Sequence, residues 1–165
     1  PSLNVITDAM AKRLADYVRR GGHLILGPRS GMKDAFNRLD PQRQPGPLAE
    51  LLGGRVEQFY ALDEKVAAGD GTASIWAEQL TPTSPDTRIL LTYGKANGWL
   101  DGKAAVITRQ VGKGSITYVG ALVDDHVMDG LIGAAMRDAG VTRDFAVPAD
   151  VELMTRRARD GRSSS

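Results

Sequence analysis

The residues best placed for chemistry lie in one short loop, Arg29-Ser30-Gly31, which follows the apolar run His23-Leu24-Ile25-Leu26. A loop leaving a strand at its carboxyl end is where ligands usually meet an open α/β sheet, so the three are candidate ligand-binding residues. The same residues also suit a plain connector. Asp124-Asp125-His126 with Asp129 has the donor types of a metal site. Acidic residues at a helix start serve equally as caps and dipole partners, and no second ligand cluster accompanies them, so no metal and no cofactor is expected. Gly112-Lys113-Gly114-Ser115 joins glycines to a lysine, but the GxxxxGK[ST] spacing is absent and a hairpin turn is expected instead.

A serine hydrolase would need a nucleophile on a tight GxSxG turn with a base in reach. Ser30 sits in PRSG, and only His23 and His126 are available, so a Ser30–His126 pair is kept as a third reading. Paired carboxylates cannot be singled out, because Glu50, Glu57, Glu64, Glu78 and Glu152 fall in unrelated segments. Trp76 and Trp99 could stack on a sugar or anchor an interface, with Leu100 beside the second. No catalytic residue is assigned.

The elements that must position these residues follow from periodicity. Thr7-Asp8 can cap a helix in which Ala11, Leu14, Ala15 and Val18 share a face. Gly21-Gly22 stops it and the apolar strand 23–26 follows. A strand normally precedes such a helix. None is present, so the sequence is expected to start after its own first strand, as a fragment or a shortened gene product would. The stretch 32–46 is polar and Pro/Gln-rich. Pro47 opens a short helix through Leu51-Leu52, stopped by Gly53-Gly54. Segments 55–62, 74–80, 88–93, 104–108 and 115–119 read as strands, and 64–72 as loop. Asp124-Asp125 opens a last helix with Val127, Leu131, Ala134, Ala135 and Met136 as its buried stripe. Val147-Pro148 reads as a linker before one further strand, 151–155.

Composition narrows the classes. The 165 residues are 42% hydrophobic and 25% charged, as a globular domain is. A net charge of +1 provides no field for nucleic acid or an anionic membrane. The absence of cysteine excludes disulfides, thiolate metal sites and a cysteine nucleophile. No apolar run approaches the roughly 20 residues needed to span a bilayer, and no signal peptide opens the sequence, so a cytoplasmic location is expected.

Together PSLNVIT, then YVRRGGHLIL followed by RSG and Asp34, PGPLAELLGGRVEQF, the Trp76 segment and GKAAVITRQVGKGSITYVGALVDD resemble the middle domain of the β-galactosidases of glycoside hydrolase family 42, in family order from Pro1 to Val141. The resemblance implies an α/β fold: an open, mostly parallel sheet flanked by helices, a flavodoxin-like three-layer sandwich similar to class I glutamine amidotransferases without their cysteine. It implies residues 1–143 as a trimerisation-like domain and 144–165 as a linker and the start of a C-terminal β domain. The family's catalytic glutamates lie in a (β/α)8 barrel with no counterpart here. The expected function is therefore that of an oligomerisation module, inactive alone, from an enzyme that cleaves terminal β-D-galactosides. Self-association is expected, a homotrimer ahead of a dimer, with the barrel as partner in the parent enzyme. The alternative is a free-standing domain that binds a small ligand such as a sugar.

Overall fold

The computed structural model describes residues 2–95, 98–141, 151, 153 and 154. Helix α1 (Asp8–Arg19) starts where Thr7 Oγ1 accepts the Met10 amide, and it carries Asp8 and Arg19 at the ends that suit its dipole. Ala11, Ala15 and Val18 form its buried face. Strand β1 (His23–Leu26) follows. After the loop, a 3-10 turn (Gly46–Leu48) runs into α2 (Ala49–Leu52). Then come β2 (Gly54–Ala61), β3 (Val66–Ala68), β4 (Gly71–Pro82) and β5 (Thr87–Thr92), a 3-10 turn (Gly98–Leu100), β6 (Ala104–Val111), β7 (Gly114–Val119), β8 (Ala121–Val123) and α3 (Asp125–Asp138).

The eight strands form one mixed, curled sheet, which overturns the open, mostly parallel, amidotransferase-like sandwich. Among the described strands only β1 and β7 pair in parallel, with His23 opposite Ser115 and Leu26 opposite Tyr118. The β6–β7, β4–β6, β2–β4, β3–β4, β5–β6 and β4–β8 pairs are all antiparallel. Connection length explains this. A parallel return needs a crossover of about a dozen residues or more, usually helical. From β2 to β8, among the described residues, no link contains an α-helix that could serve as such a crossover, and the longest, between β5 and β6, holds only a 3-10 turn. The curl closes further where Ala68 bridges Tyr93, with Gly69 N donating to Thr92 O and Gly94 N to Ala67 O. The result is a half-barrel.

Two cores fill it. Ile6, Leu26, Leu48, Leu52, Val56, Leu80, Ile107, Ile116 and Tyr118 pack beneath α1 and α2. Ala68, Ala73, Ala77, Ala105 and Ala121 surround Tyr93 and Leu100 inside the curl.

Several local expectations change with the fold. The stretch read as loop, 64–72, holds β3 and the start of β4, and the short strand at 74–80 is part of a twelve-residue one. In α3 only Val127 is fully buried, and Leu131, Ala134, Ala135 and Met136 are half-buried. Val5 bridges Lys33 in parallel, which ties the first residues to the loop after β1. The boundary at 143/144 and the Val147-Pro148 linker lie outside the described residues. Of the expected strand at 151–155, Val151, Leu153 and Met154 are described and carry no strand. Among the described residues, no helix is long and apolar enough to cross a membrane.

Candidate functional site

The loop 27–31 is held from beneath by a buried carboxylate. Glu78, in β4, is 0% exposed. Its Oε1 accepts the Arg29 amide at 2.9 Å and Trp76 Nε1 at 3.0 Å, and its Oε2 accepts the Tyr118 hydroxyl at 2.9 Å. Burial pushes the Glu78 carboxyl above its ordinary range, and the three donors together with the Arg29 charge pull against that shift. Burial and the adjacent Glu78 carboxylate hold the Tyr118 hydroxyl well above its ordinary range. Tyr93 closes the cluster from the other core: its hydroxyl donates toward Glu78 O at 3.0 Å and accepts the Glu78 amide at 3.1 Å. A charge in this interior keeps its solvation only through such donors.

Of the three candidate ligand residues, two are consumed by the fold. Ser30 is fully buried. Its hydroxyl donates to Gly27 O at 2.8 Å and accepts the Leu3 amide at 3.0 Å, which leaves it no freedom to act as a nucleophile. Gly31 has φ 67°, and a Cβ there would collide with the Pro45 carbonyl, so the position serves a close backbone approach. Arg29 alone reaches solvent. It also adopts a left-handed backbone, φ 65°, and lays its guanidinium over the Trp76 ring at 5.3 Å. Phe59 stacks on the same indole, with centroids 5.0 Å apart and planes at 16°. Asn4, Arg29, Ile75, Trp76 and Leu122 line a shallow hollow of about 260 Å³ there.

The three candidate interface residues fall in different settings. Trp76 is half-buried and tied to Glu78. Trp99 is 76% exposed on its 3-10 turn, with its ring 5.7 Å from that of Tyr60. Leu100 turns inward and is 2% exposed in the alanine-lined core.

The remaining polar groups have structural duties. His126 is exposed and pairs with Asp70 at 3.1 Å. Asp124 caps α3 by accepting the Val127 amide, and it also accepts the Thr72 amide and hydroxyl. These bonds hold its carboxyl below the ordinary range. Among the described residues, no group of three or more His, Asp or Glu side chains is arranged to hold a metal ion. Gly112-Lys113 is the two-residue turn between β6 and β7. A larger groove of about 670 Å³ runs between α1, α2 and that turn. Its Arg109 donates to the Glu50 and Leu51 carbonyls near the end of α2 and pairs with Asp86.

Glu78 was the residue the sequence did not single out. Its only signal was a carboxylate two positions after a tryptophan in the strand Gly71–Pro82, and its burial depends on the distant loop 27–31, Tyr93 and Tyr118, which no local pattern announces.

Comparison with known proteins adds a family. Residues 1–142 match the model described as the β-galactosidase trimerisation domain. The chain is 34% identical over 176 residues to β-galactosidase Bga of Halorubrum lacusprofundi, covering 96% of this chain and 25% of that protein. It is 34% identical over 162 residues to β-galactosidase BgaH of Haloferax lucentense, covering 94% and 24%. The chain thus spans about a quarter of the length of these curated relatives. Among solved structures, the β-galactosidase from the Antarctic haloarchaeon Halorubrum lacusprofundi superposes with a TM-score of 0.76 at 37% identity, over 86% of this chain and 21% of the other. The enzyme from Bacillus circulans sp. alkalophilus gives 0.87 over 94% and 24%, and at 21% identity it speaks for the fold alone.

Proposed function

Because the chain belongs to the β-galactosidase trimerisation domain family, we propose that it is the part of a β-galactosidase that holds the subunits together, as a homotrimer in preference to a dimer. The cleavage of terminal β-D-galactosides then belongs to a catalytic barrel elsewhere in the parent enzyme, and this chain alone turns over no galactoside. The family match over residues 1–142 carries the reading. The loop after β1 supports it from the other side, since Ser30 and Gly31 are built into the backbone network rather than offered to a ligand.

Light scattering of the purified chain over about a tenfold concentration range tests the assembly. The expected result is a mass that rises toward three copies, and a monomer throughout would overturn it. A nitrophenyl β-galactoside assay tests the division of labour, with no turnover expected. Activity that survives removal of host enzymes would show that chemistry resides here.

A further inference from the structure

Helix α3 is fastened to the sheet at one end. Asp124, its cap, accepts the Thr72 amide and hydroxyl at 2.7 and 3.0 Å and donates its own amide to Thr72 O at 2.9 Å. His126 meets Asp70 beside it, and Val127 packs so closely on Gly71 that a Cβ there would collide with it. Beyond Val127 the fastening stops. Among the described residues, no side-chain hydrogen bond or ion pair joins the rest of the helix to the sheet. One of its 14 residues is fully buried, against three of the 12 in α1.

The floor beneath α3 accounts for the weak hold. Thr108, Ser115 and Thr117 line a hollow of about 110 Å³ together with Leu131, Ala134 and Ala135. A second hollow, of about 220 Å³, lies among Ile132, Met136, Tyr17 and His23. Across such gaps the side chains forgo the dispersion contacts of a close-packed interior. The hydroxyls below are satisfied without the helix. Thr108 Oγ1 donates to Ile116 O at 3.2 Å and lies 2.8 Å from Thr117 Oγ1, and Ser115 Oγ lies 2.8 Å from His23 Nδ1. Uncovering this face breaks none of these bonds.

The helix is also weak in itself. Gly130 and Gly133 stand in its interior, yet a Cβ at Gly130 would meet nothing within 4 Å and one at Gly133 only the Arg137 guanidinium at 3.5 Å. Packing requires neither glycine, and each weakens the helix about fivefold relative to alanine. A helix of this length is marginal alone, so off the sheet it melts. We propose that α3 is a hinged cover. Pinned at Asp124 and Val127, it opens as one unit while the sheet stays folded, and it exposes the hydroxyl-lined face of β1, β6 and β7. The opening needs no second copy, since each contact named lies within one chain.

Hydrogen exchange on the whole chain at rising urea tests this. The amides of residues 131–138 should exchange at least about 100-fold faster than those of β7, with a shallower urea dependence, because a local opening exposes little surface. The Thr72 amide should stay with β7. Helix and β7 amides that share one rate and one urea slope would overturn the cover, since α3 would then open only with the whole fold. Fast exchange confined to the last turn would overturn it too, as mere fraying, and a Thr72 amide that follows the helix would overturn the hinge. The sequence has no cysteine, so a single introduced thiol gives a second readout. Thr117 and Val18 are both buried, one beneath α3 and the other in α1. The thiol of Thr117→Cys should react with a disulfide reagent at least about 100-fold faster than that of Val18→Cys, and adding Gly130→Ala should slow it about fivefold. Equal rates for the two thiols, or no slowing by the alanine, would overturn the proposal.

Discussion

The two halves of the sheet are stabilised in opposite ways. Beneath α1 and α2 the strands meet helices, and large side chains fill the gap: Leu48, Leu52, Ile107, Ile116 and Tyr118 are all fully buried. Inside the curl, among the described residues, no α-helix contributes to the core. The strands close on one another, and five alanines leave room for little besides Tyr93 and Leu100. β6 serves both halves, delivering Ala104 to one core and Ala105 to the other. A helix-covered sheet thus gains stability from apolar volume, whereas a tightly curled one gains it from close backbone approach around a few large posts.

The sharpest way to break this contrast is to delete volume from the helix-covered half. Ile116→Ala should cost about 2–5 kcal/mol, the transfer term plus a cavity that flanking strands cannot collapse to fill. Urea denaturation measures it. A loss below about 1 kcal/mol would mean that this half tolerates vacancy and that the contrast is misplaced.

The curled half should fail in the reverse direction. Ala105→Leu adds volume beside Tyr93 and Leu100, where the strands cannot spread without breaking ladder hydrogen bonds. A loss of about 1–3 kcal/mol is expected. A higher melting temperature would reveal unfilled space within the curl.

The same contrast marks how far the sequence could be read. Helix α1, its glycine stop, β1, the short α2 ended by Gly53 and the β6–β7 hairpin follow from caps, periodicity and turn residues. The architecture was misjudged because it was inferred from resemblance. The sequence itself held part of the correction, since none of the stretches between the strand segments after residue 54 reads as a helix, which favours antiparallel returns. The curl was harder to see. It depends on Ala68 meeting Tyr93 and on alanines that alternate with nothing distinctive, so no periodic signal announces it. At the candidate site, Arg29 was legible as a loop residue at a strand end. The burial of Ser30 was not, because it depends on the Leu3 amide arriving from 27 residues away. Trp99 and Leu100 were read alike, but neighbours in a 3-10 turn point apart, and one faces solvent while the other faces the core.

Glu78 sits where the two halves meet, and its pH response sharpens the comparison with the smallest effect. Its folded-state carboxyl lies above its ordinary range because burial outweighs the three donors. An acid raised on folding stabilises the native state fully below its unfolded value, about 4.3, and that contribution is lost as pH rises through the folded value. Glu78→Gln removes the titration while keeping shape: the amide oxygen can accept the Arg29 and Trp76 N–H groups, and the Tyr118 hydroxyl can turn to accept from the amide nitrogen. At neutral pH the substitution should shift stability by less than about 1 kcal/mol. The carboxylates of Asp34 and Asp124, held below their ordinary range by hydrogen bonds, lose their contribution as pH falls, but they do so equally in both proteins and cancel in the difference. Stability measured by urea melts from about pH 4 upward should therefore favour the glutamine variant increasingly as pH rises, levelling off above the folded value of Glu78. Parallel profiles for the two proteins would mean that the Glu78 carboxyl titrates alike folded and unfolded, and that the joint between the halves is open to water.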